Sequence, residues 1–111
     1  EFIQLTGNDD NAVEFNKRGG VGAIGVTANV AAKLSSEFQK ACKEDMVKAS
    51  KLDKLLQPLH TSLFIESNPS PVKYAASLLG MCKPTVSLPF VEIREETKKK
   101  VSDALKVAKL L

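Results

Sequence analysis

The residues of this sequence whose types and spacing could do chemistry are its glycines, one histidine and two cysteines. Gly20-x-Gly22-x-x-Gly25 matches the glycine pattern of dinucleotide-binding proteins, and Asp45 follows in the position of an acidic ribose ligand. That pattern binds pyrophosphate only where it follows a strand and opens a helix. Here a predicted helix precedes the glycines, and they lie at or inside a predicted strand. We therefore reject a dinucleotide site.

The remaining reactive side chains form no complete catalytic arrangement. His60 lies beside Leu59 on a predicted helix, which favours a structural or surface role over catalysis. Cys42 and Cys82 are too few and too far apart for a zinc site, and their apolar surroundings predict buried, reduced thiols. No lysine lies in a predicted strand, where a Schiff-base amine is usually desolvated. We expect no metal site and no autonomous active site.

Composition excludes two further classes of partner. The net charge is +3, from 16 basic and 13 acidic residues that are interspersed along the predicted helices, and aromatic residues make up only 5%. A nucleic-acid surface needs a one-sided basic patch with stacking aromatics, so none is expected. No apolar run approaches the roughly 20 residues of a membrane span. Since no signal-peptide pattern is present either, we expect a cytoplasmic protein.

The elements that must position these residues begin with two predicted strands, residues 2–6 and 21–27. The second is apolar and glycine-rich, as in strands that are buried on both faces of a parallel sheet. Parallel strands need neighbours, yet the sequence holds only two candidates. Asp9 or Asp10 is the predicted cap of the helix between them, which Gly19 and Gly20 should end. The sequence reads as a C-terminal piece of a larger α/β enzyme.

Helices account for most of the rest. Asn29 is predicted to open one helix, and Asp45 a long one in which Pro58 produces a bend rather than a break. Further helices are expected from residue 68 to 80 and from 94 to 110, with 81–93 irregular. Since strand–helix alternation stops near Asp45, the predicted domains are residues 1–44 and 45–111.

Four segments together resemble one known family. They are residues 5–9 (LTGND), 19–30 (GGVGAIGVTANV), 57–60 (QPLH) and 66–74 (ESNPSPVKY). In order and spacing they are similar to the 4-hydroxy-tetrahydrodipicolinate synthase (dihydrodipicolinate synthase) family, over essentially the whole chain. The resemblance implies an α/β fold: the last two βα units, strands seven and eight, of a TIM (β/α)8 barrel, followed by a helical C-terminal domain.

The resemblance also implies an activity. Members condense pyruvate with aspartate 4-semialdehyde in lysine biosynthesis, through a Schiff base on a barrel lysine, without an organic cofactor and usually as a homotetramer. The Schiff-base lysine on strand six, the catalytic tyrosines and threonine and the semialdehyde-binding arginine would all lie upstream. We therefore expect no catalytic residue here and no activity from these 111 residues alone.

Four substrate-binding residues follow from the resemblance. Ile24 matches a strand-eight residue whose backbone lines the pyruvate pocket, and Gly7 and Asn8 match the loop after strand seven at the pocket mouth. Asn68 matches the asparagine of an Asn-Pro-x-Pro motif that reaches back over the barrel top. Many members have aspartate in place of Asn8, which puts a charge-dependent role there in doubt. Strand packing remains open for Ile24, and a helix cap for Asn68.

Two other functions remain open from the sequence. A sister pyruvate-dependent aldolase of the N-acetylneuraminate lyase type shares the architecture, and the residues that choose its second substrate would lie outside this sequence. Alternatively, the amphipathic helices of residues 45–111 could pack as a small non-catalytic interaction module.

Overall fold

The computed structural model describes residues 1–111, most of which form or connect helices. Two 3₁₀ turns, Asp9–Asn11 and Thr27–Asn29, accompany the α-helices. There are five α-helices: α1 (Ala12–Lys17), α2 (Ala32–Glu44), α3 (Met46–Ser62), α4 (Ser70–Leu78) and α5 (Glu95–Val107). No helix is both long and apolar enough to cross a membrane.

The two predicted strands are wrong as elements, although the segments do pair in parallel. One isolated bridge joins Thr6 to Ala23. The Thr6 amide donates to the Gly22 carbonyl (3.1 Å) and the Ile24 amide donates to the Thr6 carbonyl (2.9 Å). A parallel pair this short cannot form an extended ladder without flanking strands. The parallel bridge is therefore limited to Thr6 and Ala23.

Two of the predicted helix caps are wrong. Asp9 and Asp10 lie in the 3₁₀ turn before α1, and neither caps it: α1 begins at Ala12 without a side-chain cap. The prediction for Asn29 is also wrong, since α2 begins at Ala32 and the Asn29 amide donates to the Val26 carbonyl. The glycine stop after α1 is confirmed by Gly19, whose φ of +100° suits glycine.

Helix α3 follows its sequence pattern closely. The Asp45 carboxylate accepts from the Lys48 amide at 3.1 Å, which confirms it as the N-cap. Pro58 lies inside the helix with its ring exposed, and α3 continues to Ser62, so the proline does not break it. The buried stripe faces α2 and α5 and consists of Ala49, Leu56, Leu59 and, just beyond the helix, Leu63.

The last two helices complete the core. Helix α4 starts at Ser70 in the proline-rich motif, and Gly80 follows its end with a φ of +74°. The stretch 81–93 is irregular, as predicted, and α5 buries Val101, Ala104 and Leu105. One apolar cluster includes Ala12 and Phe38 from residues 1–44 as well as the stripes of α3 and α5. The division into domains at residue 45 stays a prediction.

The cysteines are both free thiols. Cys42 is half-buried on α2, and burial raises the pKa of its thiol. Cys82 is exposed in the irregular stretch, so the expectation that both are buried is wrong for Cys82. The reason is that the apolar residues around Cys82 do not fold over it.

Candidate functional site

The paired segments bring three of the four predicted site residues to one edge. Ile24 is hydrogen-bonded through its amide to the carbonyl of Thr6, the residue directly before Gly7 and Asn8. All three residues are exposed, and the Ile24 side chain has 74% of its surface accessible. In parallel pairs such an edge, at the carboxyl ends of the strands, is where barrel enzymes place their sites.

Asn68 has no hydrogen bond to this edge. No hydrogen bond joins it to Gly7, Asn8 or Ile24, and its side chain is exposed. Pro69 occupies the cap position of α4, which has no side-chain cap. A helix-capping role for Asn68 is therefore wrong.

The turn after Thr6 is held by the Thr6 side chain. Its hydroxyl accepts from the Asn8 amide at 3.1 Å and donates to the Asn11 side-chain oxygen at 2.9 Å. Thr6 is buried, whereas Asn8 and Asn11 are exposed, so these bonds are only partly shielded from water. The Thr6 hydroxyl thus fixes the path of Gly7 and Asn8 at the edge.

Asp9 connects the turn to the second segment. Its carboxylate accepts from the Thr27 amide at 3.0 Å. A Cβ placed on Gly25 would overlap that carboxylate, so the absence of a side chain at Gly25 permits the approach. The Asp9 carboxylate therefore links the two segments beyond Thr6, where no backbone hydrogen bond joins them.

Behind Asp9 lies a buried histidine. His60 is 5% exposed and Thr27 is 0% exposed, and 2.7 Å separate the Thr27 hydroxyl from His60 Nδ1. Burial lowers the pKa of His60, while the negative charges of Asp9, Asp53 and Asp10 oppose that shift. Of the structural and surface roles that the sequence left open for His60, its burial rules out the surface role.

The polar face of this network borders an open cleft of about 380 Å³. The cleft is lined by Asn8, Asp9, Asp10, His60, Thr61 and Phe64. No group of three histidine, cysteine or carboxylate side chains is arranged to hold a metal ion. The cleft is acidic and lies beside the edge that carries Gly7 and Asn8.

Lys98 does not have the environment of a Schiff-base amine. Such an amine needs a lowered pKa, which desolvation or a nearby cation supplies. Lys98 is shielded, with 18% of its side chain exposed, but it contacts Glu92 at 2.6 Å and Glu95 at 2.8 Å. Hydrogen bonds to these two carboxylates raise the pKa of Lys98, which is the wrong direction for a nucleophile.

The sequence did not single out Asp9 and Thr27 as a pair. Asp9 was interpreted as a helix cap, and Thr27 as one residue of an apolar strand. A polar threonine at the end of an otherwise apolar segment, and a histidine within a leucine stripe, are the two signals that could have suggested a buried hydrogen bond.

Comparison with solved structures defines the class of protein. The chain superimposes on a structure described as the first monomeric dihydrodipicolinate synthase variant with a TM-score of 0.95 and 35% identity, covering 99% of this chain and 37% of that one. The dihydrodipicolinate synthase of Thermotoga maritima gives a TM-score of 0.94 and 35% identity, covering 99% and 38%. These are TIM-barrel enzymes, which confirms the predicted fold class, the end of a (β/α)8 barrel followed by a helical domain.

Sequence comparison then identifies the family. The model of the dihydrodipicolinate synthetase family matches residues 1–108, so the chain belongs to that family. The 4-hydroxy-tetrahydrodipicolinate synthase of Pelagibacter ubique is 62% identical over 115 residues, and that of Parvibaculum lavamentivorans 49% over 112. All of this chain is covered in both comparisons, and it spans 39% and 38% of the length of those relatives.

Proposed function

We propose that this chain is part of a 4-hydroxy-tetrahydrodipicolinate synthase, a lyase that condenses pyruvate with aspartate 4-semialdehyde in lysine biosynthesis. The observation that carries the proposal is the match to one family across residues 1–108, with 62% identity to a relative of that name. The sister-aldolase alternative has no comparable support, since the relatives and structures reported above are all named for the synthase.

The proposed roles of the site residues fit the edge described above. The Ile24 backbone would line the pyruvate pocket, and Gly7 and Asn8 would border its mouth. The hydrogen bond from the Ile24 amide to the Thr6 carbonyl supports this assignment, because it joins the Ile24 backbone to the residue directly before Gly7 and Asn8. Asn68 would contribute from the start of the helical region.

Covalent chemistry is assigned to residues outside this chain. In the proposed reaction a lysine amine condenses with the pyruvate ketone, which forms an imine and releases water. The raised pKa of Lys98 argues against this role for Lys98. We accordingly propose that the 111 residues are inactive alone, and that the complete protein is a cytoplasmic homotetramer without an organic cofactor.

The substrate assignment can be tested with the longer protein that contains this chain. Purified protein is assayed with pyruvate and aspartate 4-semialdehyde, and separately for cleavage of N-acetylneuraminate. We expect condensation in the first assay and no cleavage in the second. Cleavage without condensation would assign the chain to the sister aldolases. Activity in neither assay would favour a non-catalytic helical module.

A further inference from the structure

The turn that carries Gly7 and Asn8 is held from behind by helix α3 at two points. At the first, the Asp9 carboxylate accepts from the Thr27 amide, and the Thr27 hydroxyl is hydrogen-bonded to His60 on α3. These contacts join residues that are 18 and 33 positions apart in the sequence.

The second point lies one turn earlier on α3. The Gln57 side-chain amide donates to the Asp10 backbone carbonyl at 3.0 Å. The same nitrogen donates to the Asp53 carboxylate, also at 3.0 Å, which restricts the rotamer of Gln57. Helix α3 thus binds the turn through a side chain at Asp9 and through the main chain at Asp10.

We propose that His60, Thr27 and Gln57 are positioning residues for the pyruvate pocket, acting through the turn of residues 7–10 rather than by touching substrate. The inference rests on the proposed function, because that function places Gly7 and Asn8 at the pocket mouth and the Ile24 backbone in its wall.

Thr27 lies on the same segment as Ile24, whose backbone is the proposed wall of the pyruvate pocket. Ile24 is bonded to Thr6, and Thr27 lies three residues beyond Ile24 on the same segment. Three backbone hydrogen bonds, from Val21 to Gln4, from Thr6 to Gly22 and from Ile24 to Thr6, join the two segments, and the Asp9–Thr27 bond is the next link towards α3. Without it the turn and the Ile24 segment would be joined at one end only, so their separation at the pocket would vary.

Burial increases the expected effect of losing the hydrogen bond between Thr27 and His60. Thr27 and His60 are both almost fully inaccessible, so water cannot replace a lost partner. Loss of one buried partner weakens such a contact by a factor of about ten, within wide limits. An exposed network of the same residues would have no such effect.

The test uses the complete protein, with pyruvate as the probe. Thr27→Val keeps the side-chain shape and removes the hydroxyl, Thr27→Ser restores it, and Gln57→Leu removes the second contact. Thr85→Val, the same chemical change at an exposed loop residue, is the matched control. Steady-state kinetics give kcat and the KM for pyruvate, and hydrogen exchange reports on the amides of residues 7–11.

We expect Thr27→Val to raise the KM for pyruvate about tenfold. Gln57→Leu removes an exposed bond to the Asp10 carbonyl and should raise that KM by a smaller factor. In both variants kcat should change much less. Amide exchange in residues 7–11 should speed up in both, and Thr27→Ser should be close to the parent. Since Gln57 is only half-buried, its variant stays informative if Thr27→Val fails to fold.

Two results would overturn the inference. The first is an unchanged KM for pyruvate in both variants, with kcat and thermal stability also unchanged. The second is an unchanged KM with kcat and thermal stability falling together, as for a purely structural role. If the parent protein itself does not turn over pyruvate, the proposed function fails first, and this inference fails with it. Turnover of pyruvate by the parent protein therefore distinguishes failure of the proposed function from failure of this inference alone.

Discussion

The helices of this chain and its paired segments are held by different forces. In α3 and α5, Leu56, Leu59 and Leu105 have at most 1% of their surface exposed, so apolar burial supplies most of the free energy that holds them. In the paired segments, Phe2 and Ile24 are 85% and 74% exposed. Within residues 1–111 these apolar side chains bury little surface, and hydrogen bonds join the two segments.

The difference bears on how the candidate site is positioned. Apolar burial is not directional, whereas a hydrogen bond fixes both a distance and an angle. The edge with Gly7 and Asn8 depends on a few contacts from Thr6, Asp9 and Thr27. Substitutions in the helices should therefore change mainly the free energy of unfolding, and substitutions near the edge mainly the local geometry.

The largest effect is expected in the helical core. Leu59→Ala removes a fully buried side chain at the interface of α3 with its neighbours. The cavity should lower the free energy of unfolding by about 2–5 kcal/mol, measured by urea denaturation. Leu88→Ala is the matched control, since Leu88 is 87% exposed. Its effect should stay within about 0.5 kcal/mol. Equal losses in the two variants would contradict the assignment of stability to the core.

A smaller loss is expected at the edge itself. Gly25→Ala would place a methyl group on the Asp9 carboxylate and force it away from the Thr27 amide. We expect a loss of about 1–3 kcal/mol in unfolding free energy, together with faster exchange of the Thr27 amide. Gly7→Ala has open space around its Cβ and should not destabilise. If Gly25→Ala were as stable as the parent, Asp9 would not be held as described.

The smallest effect is a dependence on pH. Burial lowers the pKa of His60 in the folded protein, so the unfolded chain binds its proton more readily. Stability from the neutral ring is therefore complete above the unfolded pKa of about 6.5 and falls as the pH drops below it. One site limits the slope to about 1.4 kcal/mol per pH unit.

Urea denaturation between pH 7.5 and 5 measures this slope, with the range chosen to lie around the ordinary histidine pKa of about 6.5. His60 is the only histidine, so His60→Asn should remove most of the dependence in that window. The carboxylates with lowered pKa, such as Glu66, would act only at lower pH. A slope that persists in His60→Asn would show that another group titrates there.

Local patterns predicted the helices well. The cap at Asp45, the stripe of Ala49, Leu56 and Leu59 on α3, and the end of α4 before Gly80 all depend on residues within a few positions of one another. Periodicity and capping carry that information directly. The burial of these side chains then follows from the stripe.

Long-range contacts explain what the sequence did not predict. Asp9 or Asp10 is the predicted cap of α1, but the Asp9 carboxylate instead accepts a hydrogen bond from the Thr27 amide, 18 residues away. His60 meets Thr27 across 33 residues, and no local pattern reveals such a partner. The strands fail as elements for the same reason, because their length depends on neighbours in a sheet rather than on their own residues. The roles of Gly7, Asn8, Ile24 and Asn68 come from family resemblance and stay proposals.

The most direct test of the whole account is reductive trapping with pyruvate and borohydride, followed by intact mass measurement. The same experiment is run on the 111-residue chain and on the longer protein that contains it. The account predicts a trapped pyruvate on the longer protein and none on the 111 residues. An adduct on the short chain would mean that one of its own lysines is the reactive amine. No adduct on the longer protein would contradict the proposed Schiff-base chemistry.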